Sequence, residues 1–374
     1  MRHFHLRFFA LYFGAFLAVL VMLRLLLALT EPLVPGNNRW VKERIRGQLG
    51  SIAELAGTTE NVVLFLGASE VEVSFDPLIY DKFNRQAGKS TYSFNMGIRN
   101  NGTFLPLYFE RIADELERHR VRPKIIFVHF PVSRLTTKAL DHFGEFLKTH
   151  DLPAVYFEPS LWSSVPGDTE DKIGMLGNKW LWGERSLMQI PVMMRRISRA
   201  LLPKNDPGLG ELMDVMNDSY STRSEAWSLR TRGRFYRRDN VETKMVQSAY
   251  SFIREGENLK VLVRKQEGCC GFVDLRLDPD YTKRILQSMR RLSTLAEHIV
   301  IVNFKEIPAY PRSEDSAARR DEFLLSAAEA AGGKVLPIEI HSTMYLDLLH
   351  LSPIGTRPFA NQLSQATPEE WLVR

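Results

Sequence analysis

Short, apolar, β-branched runs alternate with amphipathic helical stretches over much of this chain, and that rhythm leaves few architectures open. Asn61–Leu66 (NVVLFL), Thr91–Met96 (TYSFNM), Lys124–Phe130 (KIIFVHF), His298–Asn303 (HIVIVN) and Lys334–Pro337 (KVLP) read as five strands. Pro106–Arg120, Tyr281–Glu297, Ser316–Ala331 and Pro353–Gln365 read as helices. Strands that alternate with helices predict a mainly parallel sheet with helices on both faces. The expected fold class is therefore α/β, a three-layer sandwich around a five-stranded sheet, formed by residues 61–133 and 281–374.

Residues 134–280 break the rhythm. They are rich in Trp, Met, Arg and Gly and weakly periodic, with Asp141–Thr149 and Arg185–Leu202 as helical candidates. A stretch of that length between the third and fourth strands is too long for a loop, so an insertion subdomain is expected there. Residues 31–60 read as a linker, with two prolines and a glycine in Glu31–Asn38, followed by a short helix within Trp40–Leu55.

The amino end carries a different signal. Phe8–Leu23 is unbroken apolar sequence plus Gly14, and Leu25–Leu29 continues it beyond Arg24. As a helix this stretch spans about 33 Å, against a bilayer core of about 30 Å. It is longer than the apolar region of a cleaved signal peptide, and Leu27–Glu31 is a poor cleavage site. Residues 1–30 are thus expected to be a cytoplasmic tip and transmembrane anchor, with Arg24 able to snorkel. Arg2 and Arg7 precede the span and keep the amino end in the cytoplasm, so the body is expected outside the cytoplasmic membrane, periplasmic or extracellular.

Composition narrows the function classes. Hydrophobic residues make up 44% of the 374 residues and charged residues 25%, as in ordinary globular proteins. The net charge of +5 includes three arginines in the first thirty residues, so the body is nearly balanced and nucleic acid is not an expected partner. The two cysteines, Cys269 and Cys270, are adjacent, which gives neither a disulfide framework nor a zinc site. No His, Cys and carboxylate cluster has metal spacing, and no cofactor is expected.

Two remote segments carry the chemistry. Leu64–Glu70 (LFLGASE) is a buried strand that ends in Gly-x-Ser, and Asp347–Gly355 (DLLHLSPIG) lies just before the final helix. In an open parallel sheet, functional residues collect beyond the carboxyl ends of the strands, where both segments reach. A serine hydroxyl needs a general base to act as a nucleophile, and an imidazole suits neutral pH. Ser69 is therefore the candidate nucleophile, His350 the base, and Asp347 the group that orients the ring. Each half alone is weak, because Gly-x-Ser also serves as turn chemistry and Ser352-Pro353 looks like a helix start.

The paired pattern resembles the SGNH (GDSL-like) hydrolase superfamily. Its first block has a serine after strand one, matched by Gly67-Ala68-Ser69. Its last block, Asp-x-x-His-Leu-x-x-x-Gly, is matched throughout by Asp347 to Gly355. Its second block supplies a glycine whose N–H binds the oxyanion, and Phe94-Asn95-Met96-Gly97 fits that. Gly67–Pro77 followed by Asn95-Met96-Gly97 is similar to membrane-anchored members, among them DltD-like proteins and the alginate O-acetylation group. The third block, usually Gly-x-Asn-Asp, is absent: Lys124–Phe130 leads into Pro131-Val-Ser-Arg134 with no asparagine. Losing one oxyanion donor lowers rates by about 10²–10³. Asn100 or Asn101 is the candidate replacement, although Asn-Asn-Gly also favours a turn.

The weaker candidates fall at the same rim or on the surface. Arg134 leaves the third strand and could hold an anionic substrate group, and His341 precedes the final block and could line the site. Glu70 is expected to cap the following helix, and His129 to be a satisfied core histidine. The basic run Arg230–Arg238 could meet a polyanion or lipid headgroups. The resemblance implies a serine esterase or O-acyltransferase acting on small acyl esters, acetyl foremost, of a cell-envelope polysaccharide, with an integral-membrane, multi-span acyltransferase as partner. The alternatives are a catalytically inactive scaffold or binding protein on the same fold and, less favoured, a lipase or lysophospholipase.

Overall fold

The computed structural model describes residues 11–23, 25, 48–50, 52–53, 55–57, 61–98, 105–132, 135–137, 169–170, 173, 275–304, 313–341, 344–345, 350–351 and 353–372. Five strands form one sheet: β1 (Val62–Gly67), β2 (Tyr92–Gly97), β3 (Ile125–Val128), β4 (His298–Phe304) and β5 (Lys334–Ile338). All neighbours are parallel, in the order β2-β1-β3-β4-β5. The helices are α1 (Ser69–Ser74), α2 (Pro77–Gln86), α3 (Leu105–His119), α4 (Pro279–Leu295), α5 (Glu314–Ala330) and α6 (Pro353–Gln365). The α/β class and the five expected strands are present, each within a few residues of its expected bounds.

Strand geometry explains the two cores. Successive side chains point to opposite faces of a sheet. Val62, Leu64 and Leu66 of β1, Ile126 and Val128 of β3, and Ile299 and Ile301 of β4 enter one core, with α3, α4 and α5. Val63, Phe65, Ile125, Phe127, Val300 and Val302 enter the other, with side chains from α1, α2 and α6. A sheet that is apolar on both faces must be covered on both, and the result is three layers.

Local chemistry starts the helices. Asp76 accepts from the Leu78 and Ile79 N–H groups at 2.9 and 3.2 Å, with Pro77 in the first turn of α2. Asp278 and Pro279 do the same for α4, and Ser313 caps α5. Tyr281, Ile285, Met289 and Leu292 give α4 one buried stripe. Arg291, on the same helix, bonds Glu110, Asp114 and Glu117 of α3 at 2.6–2.8 Å and fixes the two helices side by side.

Most of 134–280 lies outside the described residues, as does most of Trp40–Leu55. The described ends of the former do meet. Thr136 and Leu277 form an antiparallel bridge, Thr137 N–H donates to Arg276 O, and Asp278 N–H donates to Leu135 O. The chain therefore leaves the sheet layer and returns to it side by side.

No described helix is long and apolar enough to cross a membrane. Of the expected span, residues 11–23 are described and helical, and the remainder apart from Leu25 lies outside the described residues. Their apolar side chains are exposed rather than packed on a core: Leu11 is 74% exposed, Phe16 59% and Met22 70%.

Candidate active site

The strand order fixes where a ligand crevice can form. From β1 the chain turns outward to β2, whereas β3, β4 and β5 proceed the other way, so the order reverses between β1 and β3. Beyond the carboxyl ends of two such strands the connections part and leave an opening. Ser69 opens α1 just after β1, and His129 follows β3. A small cavity of about 10 Å³ lies here, lined by Phe65, Glu70, Val71, Phe127, His129, Val302 and Phe359. Its volume is roughly that needed for one water.

Close backbone approach positions α1. A Cβ on Gly97 would lie 2.3 Å from the Glu72 nitrogen, and one on Gly67 would lie 2.5 Å from Val71 Cγ2. Only glycines let α1 sit this close to β1 and β2. Asn95, buried in β2, then holds the end of α1. Its Nδ2 donates to the carbonyls of Val71, Glu72 and Phe75 at 3.0, 3.1 and 2.7 Å. Its Oδ1 accepts the Gly97 N–H at 2.9 Å. In the sequence motif Asn95 stands only as a neighbour of Gly97. Its position at the carboxyl end of a buried strand was the available signal, since a buried amide there needs partners.

The last block comes to the same helix. Leu351 N–H donates to Ser74 Oγ at 3.3 Å, across 277 residues of sequence, and Ser74 is fully buried. Leu351 also pairs in an antiparallel bridge with Tyr345, and His350 immediately precedes it. Gly355 approaches Met344 O so closely that a Cβ would lie at 2.5 Å. Ser74 lies five residues along α1 from Ser69, about 7.5 Å of helix rise. The two remote segments therefore share one helix.

Ser69 and His350 are both half-buried. The Ser69 hydroxyl donates to Glu70 Oε2 at 3.3 Å. No hydrogen bond joins it to His350 Nε2. The Gly97 N–H, expected as an oxyanion donor, is engaged by Asn95 Oδ1 in this structure. No side chain caps the first turn of α1, because residue 68 is an alanine, so the Ser69 N–H is not claimed by a cap. His341 is exposed on the chain after β5, where its carbonyl accepts the Met344 N–H. Asp347, Asn100, Asn101 and Arg134 lie outside the described residues, as does the basic run 230–238. Glu70 stands in the first turn of α1, at the helix's positive end as expected, although its carboxylate accepts the neighbouring Ser69 hydroxyl rather than a backbone N–H of that turn; the residue is 5% exposed. His129 is 6% exposed, in keeping with a core histidine, and it also lines the cavity.

No cluster of three or more His, Cys, Asp or Glu among the described residues could hold a metal ion. Compared with known proteins, the chain matches no family model and no curated protein sequence.

Proposed function

We propose that this chain is a membrane-anchored serine esterase or O-acyltransferase that acts outside the cytoplasm on small acyl esters of a cell-envelope glycan. The observation that carries the reading is the bond from Leu351 N–H to Ser74 Oγ, which ties the His350 block to the helix that Ser69 begins. The strand order adds to it, because Ser69 follows β1 where the order reverses. The exposed apolar side chains of residues 11–23 support the reading of this segment as part of an anchor.

In the proposed reaction the Ser69 oxygen attacks the acyl carbonyl while His350 takes the hydroxyl proton. Asp347 orients the ring and stabilises its cation. The tetrahedral oxyanion receives the Ser69 N–H and a second donor, for which Asn100 and Asn101 are the candidates, or Gly97 once its N–H leaves Asn95. Collapse expels the alcohol, which takes the proton from His350, and leaves an acyl-serine. Water as acceptor completes an esterase cycle, and a sugar hydroxyl completes a transferase cycle. Arg134 and His341 are proposed to contact substrate at the rim, and a multi-span acyltransferase is the proposed membrane partner.

A second reading, a catalytically inactive scaffold on this fold, draws on two observations. The Ser69 hydroxyl is turned to Glu70 rather than to His350, and the Gly97 N–H is already bonded. A fluorophosphonate probe separates the two. Labelling of the full chain in detergent, lost in Ser69→Ala, supports the enzyme. Absence of labelling at every pH and detergent tried supports the scaffold.

A further inference from the structure

Neighbouring side chains on a helix diverge and do not normally meet. Yet the Glu70 carboxylate folds back to accept the Ser69 hydroxyl at 3.3 Å. It does so from a buried position: Glu70 is 5% exposed, and the cavity beside it is walled by Phe65, Phe127, Val302 and Phe359. A carboxylate beside such an apolar wall is tolerated where it is hydrogen-bonded, and the Ser69 hydroxyl supplies that bond. The one other polar residue on the cavity wall is His129, itself 6% exposed. Glu70 and His129 thus share one small cavity, and they follow β1 and β3, the strands between which the order reverses. Packing alone does not call for a glutamate at this position.

We propose that Glu70 is a positioning residue for Ser69: it holds the hydroxyl in one rotamer at the rim, from a pocket that it shares with His129. The role rests on the acyl-serine reading above and acts through Ser69 rather than on substrate. An unheld serine divides among three staggered rotamers, which dilutes the held one about threefold, whereas the hydroxyl proton can swing from Glu70 toward a base without a change of that rotamer. An amide oxygen at residue 70 accepts the same hydroxyl, whereas a methyl group does not.

The test compares wild type, Glu70→Gln and Glu70→Ala as full chains in detergent, by the rate of Ser69 labelling with a fluorophosphonate and by crystal structures of all three. The expected result is labelling slowed about threefold or more in Glu70→Ala and restored to within about twofold of wild type in Glu70→Gln. The Ser69 Oγ is expected beside residue 70 in wild type and Glu70→Gln, and redistributed in Glu70→Ala. Equal labelling rates in all three variants overturn the proposal, as does a Ser69 rotamer that ignores residue 70. If wild type is not labelled at all, the acyl-serine reading fails and the rotamer comparison alone decides the role of Glu70. If Glu70→Ala does not fold, the decision passes to Glu70→Gln, where a Ser69 hydroxyl turned away from the amide overturns the proposal.

Discussion

Ser74 Oγ accepts the backbone N–H of Leu351 at 3.3 Å, and both residues are buried. Through this bond the end of α1 fixes the chain one residue past His350. Removing the oxygen leaves a buried N–H without that acceptor, which costs about 1–3 kcal/mol. Ser74→Ala is therefore expected to lower the free energy of unfolding by about that amount in urea titration. It is also expected to slow fluorophosphonate labelling of Ser69, because His350 loses its tether. An unchanged labelling rate in a destabilised Ser74→Ala would mean that the tether serves the fold alone.

The glycine at the end of β2 is required by packing before any catalytic role is considered. A Cβ at residue 97 would meet the Glu72 nitrogen at 2.3 Å and Glu72 Cα at 2.9 Å, both backbone atoms that cannot turn aside. Gly97→Ala must push α1 off the sheet. Overpacking of this kind costs about 1–3 kcal/mol, and displacement of α1 also moves Ser69. The expected result is a lower urea midpoint together with loss of labelling. A variant as stable as wild type would show that α1 does not lie this close.

The strands were legible because each is a short apolar run with few alternatives, and residues such as Val63 and Leu64 on opposite faces announce a sheet covered twice. The stretch between β1 and β2 was less so. Ser69–Ser74 (SEVEVS) alternates like a strand, with no helical stripe, and folds as a helix of about 1.7 turns. Its shape follows from the two glycines beneath it, which no local pattern reports. Helix α2 has a readable start, Asp76-Pro77, in which the aspartate caps and the proline opens the first turn. At the site, the approach of the final block to α1, seen in the Leu351–Ser74 bond, was readable as an order of motifs around a sheet. The partners of Glu70 and of the Gly97 N–H were not, because a one-residue turn of a side chain and an Asn95 contact are set by tertiary approach.

The base is the next element to test. If His350 accepts the Ser69 proton, its removal should lower labelling or turnover by about 10²–10⁴, the usual contribution of a positioned general base. His350→Ala is expected to keep the stability of wild type to within about 1 kcal/mol, because the side chain is only half-buried. The stopped-flow labelling rate with pH supplies the second arm. A wild-type rise through the imidazole range that disappears in His350→Ala identifies the ring. Retention of that rise assigns the base elsewhere, with His129 the next histidine to test.

A histidine at the start of β4 gives stability a dependence on pH. His298, at the start of β4, stacks on Trp371 with centroids 4.3 Å apart, and Lys334 Nζ lies 4.4 Å over the same indole. Burial lowers its pKa below the ordinary 6.5, the Lys124 and Lys334 charges add to that, and Glu297 and Glu370 oppose it. The folded protein therefore takes up this proton at lower pH than the unfolded chain. Between the lowered value and 6.5 the unfolded state binds more protons, so stability falls as pH falls through that window. Thermal unfolding at about pH 7.5 and about pH 5 should show a smaller loss in His298→Gln than in wild type. Equal losses in the two proteins would show that the stacked imidazole does not carry this dependence.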